Sequence, residues 1–168
     1  KHLPLLILSS LFLLHLVFVY PTPASLYPQV AQQVVQITYR SRVLKGGSRG
    51  TGVILGNKGR VVTANHVVGF RVPQPFIIAT RANGTKVGCR VLATDGERDL
   101  ALLACDGFNR VHGVDHVASI TLPIGTRVVA SGNALGGPLI ISDGIIAYKE
   151  WAKGKLFCSV PGGRGMSG

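Results

Sequence analysis

The 168-residue sequence predicts an all-β fold, and three observations support this prediction. The 22 glycines, none of them before Gly46, punctuate short runs of Val, Ile, Leu and Thr, which is typical of short strands joined by tight turns. No spacer of helical length separates consecutive runs, and this disfavours a parallel α/β sheet. An apolar content of 46% and a mean hydropathy of +0.35 exclude a mostly disordered chain. The length fits one ordinary domain or two small subdomains.

Nine runs have the composition of strands, and a short helical segment at 27–33 precedes them. Turn dipeptides such as Gly46-Gly47 and Asn83-Gly84 separate the runs. Six runs come before an irregular stretch at 106–122 and three come after it. The predicted strands are 34–41, 50–55, 60–64, 76–80, 86–94, 100–105, 127–131, 139–147 and 155–160. Many short strands of this kind predict barrels or a sandwich.

The first 25 residues form a separate segment. After the basic start Lys1-His2, the stretch 3–20 has 14 apolar residues out of 18 and no Asp, Glu, Lys or Arg, and Pro21-Thr22-Pro23-Ala24 follows. This pattern predicts a secretory signal peptide cleaved near Ala24. An uncleaved membrane anchor remains open, because the stretch is close to the ~20 residues that span a bilayer. The protein is therefore expected to be exported, in the periplasm or secreted, or to be anchored to a membrane.

The chain is strongly basic, with 18 Lys and Arg against 7 Asp and Glu and a net charge of +11. Its densest basic cluster consists of Arg40, Arg42, Lys45 and Arg49, on a predicted strand and hairpin loop. A basic surface favours nucleic acid or anionic lipid. No aromatic stacking platform or known nucleic-acid motif accompanies the cluster. We therefore interpret it as a solvated face and expect no specific nucleic-acid partner.

The three cysteines, Cys89, Cys105 and Cys158, match no zinc-binding spacing. Each lies in an apolar run, so we expect small buried hydrophobic residues rather than a disulfide.

Ser167 is a candidate nucleophile, because it lies between glycines in the segment GRGMSG at 163–168. A Ser hydroxyl needs a base, a group that orients the base, and donors for the developing oxyanion. The backbone N–H groups of Gly165 and Ser167 are candidates for those donors. A plain loop is the alternative. The nucleophile elbow of α/β-hydrolases is disfavoured, because strands and helices do not alternate.

His66 and Asp99 are the candidate base and orienting group. His66 follows the apolar strand 61–64, and Asp99 directly precedes the apolar strand 100–103, where an acid needs a hydrogen-bonding partner. A structural role for His66 is the alternative. Asp95-Gly96 fits a turn better, and His112 and His116 lack the third ligand that a metal site needs.

Several segments resemble, in chain order, the trypsin-like serine proteases, and most closely their Deg/HtrA-type branch. They are GTGVIL at 50–55, VVTANHVV at 61–68, DLALL at 99–103, GNALG at 132–136, SDGII at 142–146 and GMSG at 165–168. The resemblance covers about residues 30 to 168. It implies two antiparallel six-stranded barrels, the first at 26–115 and the second, incomplete before residue 168, at 116–168. A fragment ending there is expected to be inactive and marginally stable.

The resemblance also implies a function. His66, Asp99 and Ser167 would form the catalytic triad of a serine endopeptidase that acts on proteins or peptides through a covalent acyl-enzyme, without metal or cofactor. Gly165 and Ser167 would form the oxyanion hole, and Pro161, Gly162 and Arg164 would line the substrate pocket. Met166 replaces the Asp of members activated by a new N-terminus, so that mode of activation is not expected.

Three other functions remain open at this stage. The chain could be a catalytically silent trypsin-like binding module, a viral polyprotein-processing protease, or a nucleic-acid-binding protein. Substrate specificity and oligomeric state cannot be predicted from these residues.

Overall fold

Six antiparallel strands close into a barrel in the first part of the chain. In this computed structural model, the described residues are 22–43, 45–69, 75–115, 122–133, 136–150 and 155–161. Helix α1 (Pro23–Gln33) leads directly into strand β1. The barrel strands are β1 (Val34–Ser41), β2 (Gly47–Leu55), β3 (Arg60–Ala64), β4 (Pro75–Arg81), β5 (Lys86–Asp95) and β6 (Leu100–Ala104). Their order around the barrel is β1-β2-β3-β6-β5-β4, and β4 pairs with β1 to close it.

A short helix and a second sheet complete the described structure. Helix α2 (Asn65–Val68) follows β3, and a 3₁₀ helix (Asp106–Phe108) follows β6. Strands β7 (Arg127–Gly132), β8 (Ile140–Glu150) and β9 (Lys155–Cys158) form an antiparallel sheet in that order. All nine predicted strands are confirmed, with ends that differ from the prediction by at most three residues. The sheet supplies three strands of the six that a second barrel requires.

The barrel core arises from alternation along the strands. In β1, the side chains of Val35, Ile37 and Tyr39 are buried, whereas Arg40 points to solvent. Gly52 on β2 lies against this core, because a Cβ atom there would come within 2.7 Å of Val61 Cγ1. A side chain at this position would therefore displace the core, which explains a glycine inside an apolar strand.

The predicted leader at 1–25 lies outside the described residues except for its last four positions. Pro23, Ala24 and Ser25 belong to α1, and Thr22 caps it by accepting a hydrogen bond from the N–H of Ser25 at 3.2 Å. No helix within the described ranges is long and apolar enough to cross a membrane. The signal peptide or anchor stays a prediction.

The prediction that the cysteines are free is wrong for two of them. Cys89 on β5 and Cys105 after β6 form a disulfide with their Cα atoms 4.4 Å apart. The cause is the strand register: Arg90 pairs with Ala104, so the next residues outward, 89 and 105, face each other. Cys158 is free as predicted, but the prediction that it is buried is wrong, because its side chain is exposed.

We expect the double substitution Cys89→Ala/Cys105→Ala to lower the free energy of unfolding by about 3 kcal/mol, because the crosslink closes a loop of 16 residues in the unfolded chain. Urea-induced unfolding under oxidising conditions measures this loss. Cys158→Ala is the matched control and should leave the unfolding midpoint unchanged. Equal midpoints for the double variant and the wild type would show that the crosslink does not stabilise the barrel.

Candidate active site

Helix α2 holds His66 at the rim of the barrel. Two of its residues, Val67 and Val68, are buried in the barrel core, so the four-residue helix is anchored although it is short. The hydroxyl of Ser48 on β2 donates a hydrogen bond to the carbonyl oxygen of Val67. The side chain of His66 is 54% exposed, which leaves its ring accessible to a bound molecule.

Asp99 contacts His66 through both carboxylate oxygens. Oδ2 lies 2.6 Å from the ring Nδ1, and Oδ1 accepts a hydrogen bond of 2.8 Å from the backbone N–H of His66. The carbonyl oxygen of Asp99 also accepts from the N–H of Asn65 at 3.0 Å. Asp99 has a φ of 56°, the one positive φ outside glycine in the described part of the chain. Asp is among the few residue types that tolerate this left-handed conformation.

These contacts determine which ring nitrogen carries the proton. The hydrogen bond from the His66 ring, followed by that from the His66 backbone, holds the pKa of Asp99 below its ordinary value, against a smaller opposing effect of burial. The carboxylate is therefore ionised and can only accept hydrogen bonds. Nδ1 must then carry a proton, and in the neutral ring Nε2 has a free lone pair, as a general base requires.

Other candidate groups lie apart from this pair. The Asp95 carboxylate accepts hydrogen bonds from the backbone and the guanidinium of Arg98, and these contacts lower the pKa of Asp95. His112 Nε2 lies 3.5 Å from Asp115 Oδ2. His116 is outside the described residues. Across the described ranges, no group of three or more His, Cys, Asp or Glu side chains could hold a metal ion.

The predicted nucleophile segment lies outside the described residues. This applies to Gly162, Arg164, Gly165 and Ser167, so their assigned roles stay predictions. Pro161 is the last described residue, and its carbonyl oxygen accepts a hydrogen bond of 3.0 Å from the hydroxyl of Ser142 on β8. The chain leading to the nucleophile segment is thus attached to the second sheet.

Comparison with known proteins identifies the family. The family model for the trypsin-like peptidase domain matches residues 50–168, which is more than half of the chain. The chain belongs to this family.

Relatives of this trypsin-like peptidase domain are named as bacterial serine proteases. A probable periplasmic serine endoprotease DegP-like from Bartonella henselae is 29% identical over 110 residues, which cover 66% of this chain and 21% of the relative. A protein of the same name from Pseudomonas putida is 32% identical over 102 residues, which cover 61% of this chain and 20% of the relative. The chain thus spans about a fifth of these relatives.

A solved structure shares the fold. The serine endoprotease from Yersinia pestis superposes with a TM-score of 0.73 at 26% sequence identity, covering 89% of this chain and 53% of that chain. The likeness extends over the barrel and the second sheet of the peptidase domain. It supports the assignment of the family on independent, structural grounds.

Two buried threonines connect the parts of the peptidase domain that carry the site. Thr63 lies two residues before the start of α2, and its Oγ1 donates to the carbonyl oxygen of Thr51 on β2 at 2.7 Å. Thr51 Oγ1 accepts from the backbone N–H of Asn133, directly after β7, at 2.9 Å. The barrel and the second sheet are thereby joined beside the His66 helix. Sequence reasoning assigned no role to either threonine. The sequence feature that could have indicated such a role is a hydroxyl side chain inside a strand, because a buried hydroxyl needs a hydrogen-bonding partner.

Proposed function

We propose that the protein is a serine endopeptidase that hydrolyses polypeptides through His66, Asp99 and Ser167. The observation that carries the proposal is the two-point contact between Asp99 and His66, at the rim of a barrel that belongs to the trypsin-like peptidase family. Ser167 lies inside the segment matched by the family model. The names of the relatives support the same reaction class, and the word periplasmic in those names supports export.

The mechanism follows from the state of the His66 ring. Nε2 takes the proton of the Ser167 hydroxyl while Oγ forms a bond to the peptide carbonyl carbon. The charge that develops on the carbonyl oxygen is bound by the N–H groups of Gly165 and Ser167. His66 then gives its proton to the leaving amine as the C–N bond breaks, which leaves an acyl-enzyme. Water then attacks the acyl carbon while His66 takes its proton. The bond between that carbon and Oγ breaks, His66 returns the proton to Ser167, and the acid leaves. Asp99 keeps the proton on Nδ1 throughout and stabilises the charged ring.

A fluorophosphonate probe tests this proposal directly, because it reacts with an activated serine and not with an ordinary hydroxyl. In the full-length protein we expect mass spectrometry to find the label on Ser167. His66→Gln, which keeps a polar side chain of similar length but removes the base, should block labelling. If the folded wild-type protein is not labelled, it is a catalytically silent module and the proposal is wrong.

A further inference from the structure

We propose that a basic groove beside the His66 helix binds an acidic segment of the polypeptide substrate. The proposal rests on the function proposed above and adds a substrate class to it. The groove is a cleft of about 780 Å³ at the hairpin between β1 and β2. Its lining includes Arg40, Arg42, Lys45, Arg49 and Phe76, and these five residues define the basic groove.

The groove lies in the part of the sequence that carries the net positive charge. Residues 1–94 contain 11 Lys and Arg and no Asp or Glu, whereas residues 95–168 contain seven of each sign, so the entire net charge arises before Asp95. None of the ion pairs found among the described residues involves the four cations of the groove. Four cations around one concavity favour an anionic partner.

The groove is elongated along the barrel surface. A second cavity of about 270 Å³ on the same face shares Arg40, Arg49 and Phe76 with the basic groove and reaches Lys86 on β5. Strand pairing explains this continuity. Arg40 on β1 lies beside Phe76 on β4, and Thr80, four residues further along β4, lies beside Lys86 on β5. An extended peptide would therefore meet apolar and basic groups in succession along its length.

The position of the groove connects it to the site. Ser48 lines the cleft and bonds to the carbonyl oxygen of Val67, the residue after His66. On the other side, the Arg49 side chain lies over Gly136, where a Cβ atom would come within 2.5 Å of Arg49 Cδ. The groove thus extends from the His66 helix toward the loop between β7 and β8, which contacts the barrel through Asn133. A polypeptide bound at His66 could therefore extend along the protein surface into the basic groove.

A polypeptide fits these observations better than an anionic membrane does. A flat bilayer would touch the hairpin tip, where Val43 is 61% exposed, but it would contact Phe76 poorly, because Phe76 lines the concave cleft and is partly buried. Acidic side chains on a flexible chain can enter a concave surface and pair with the guanidinium groups there.

Binding without hydrolysis tests the groove separately from catalysis. The protein is the full-length Ser167→Ala variant, and the probes are a fluorescent peptide containing a run of Asp and Glu and its Asn and Gln counterpart. Fluorescence anisotropy is expected to show preferential binding of the acidic peptide, weakened by added NaCl. In that variant, Arg42→Glu/Lys45→Glu should weaken binding about tenfold, because two exposed attractions become repulsions.

The matched control is Lys58→Glu/Arg110→Glu, which changes the net charge equally. Lys58 lies in the turn at the opposite end of β2 from the groove. The side chains of Lys58 and Arg110 are both exposed. We expect this control to change the affinity less than twofold. Equal loss in both double variants, or equal binding of the two peptides, would overturn the proposal. The proposal would also be overturned if the protein bound phosphatidylglycerol vesicles but not the acidic peptide, and if Arg42→Glu/Lys45→Glu abolished that vesicle binding. Selective binding by a protein whose wild-type form hydrolyses nothing would refute the proposed function but leave the groove intact.

Discussion

Replacing Ser167 by alanine in the full-length protein is expected to lower the turnover of a polypeptide substrate by ~10⁴-fold or more. On the proposed mechanism, the substitution removes the hydroxyl that forms the acyl-enzyme but keeps the proposed oxyanion donors and His66, so only the attack step is lost. The measurement is kcat for a quenched fluorescent protein substrate. Ser25→Ala, which removes an exposed serine hydroxyl in α1 that bonds locally to the carbonyl oxygen of Thr22, is the control and should retain activity within a few-fold. Turnover near the wild-type rate in the Ser167 variant would contradict the assignment of the nucleophile.

Asp99→Asn is expected to lower kcat by ~10⁴-fold, because an amide in place of the carboxylate stabilises the wrong tautomer of His66. The amide can donate to Nδ1, which would then lose its proton and leave Nε2 protonated and unable to act as the base. The measurement is again kcat for hydrolysis of a protein substrate. Asp95→Asn provides the matched control, since that carboxylate bonds to Arg98 and not to His66. A comparable loss in both variants would indicate a general effect on the fold.

The same pair predicts a dependence of stability on pH. The pKa of Asp99 is lower in the folded protein than its ordinary value of about 3.9, because the ring and backbone of His66 donate to it. The stabilisation is therefore fully present above that ordinary value and is lost as the pH falls through the lower folded-state pKa. The stability difference between wild type and Asp99→Asn should accordingly shrink in strong acid. Because both side chains are about half exposed, the difference should be small throughout.

Local pattern was sufficient to predict most of the fold. The run of β-forming residues at 34–41 predicted a strand, and the structure places β1 over the same residues. The sequence also distinguished the two candidate acids, because Asp95-Gly96 is typical of a turn. In the structure, the Asp95 carboxylate accepts a hydrogen bond from the backbone N–H of Arg98. Short-range signals of this kind depend on neighbours in the sequence, so they can be read without coordinates.

Long-range pairing could not be predicted in the same way. The Cys89–Cys105 disulfide depends on the register of β5 against β6, including an irregularity between Val91 and Ala93 that no composition rule reveals. The bond between Thr51 and Asn133 joins residues 82 positions apart. For the candidate site, order along the chain and family resemblance suggested His66 with Asp99, but only strand packing determines the distance between their side chains.

Closure of the first barrel has a consequence for the order of events during synthesis. All six of its strands end by Ala104, and both His66 and Asp99 lie within that stretch. In a ribosome-bound chain whose first barrel has formed, Asp99 can already orient the His66 imidazole before Ser167 is translated. On the mechanism proposed here, such a nascent polypeptide holds its general base but still lacks the serine that would receive the acyl group.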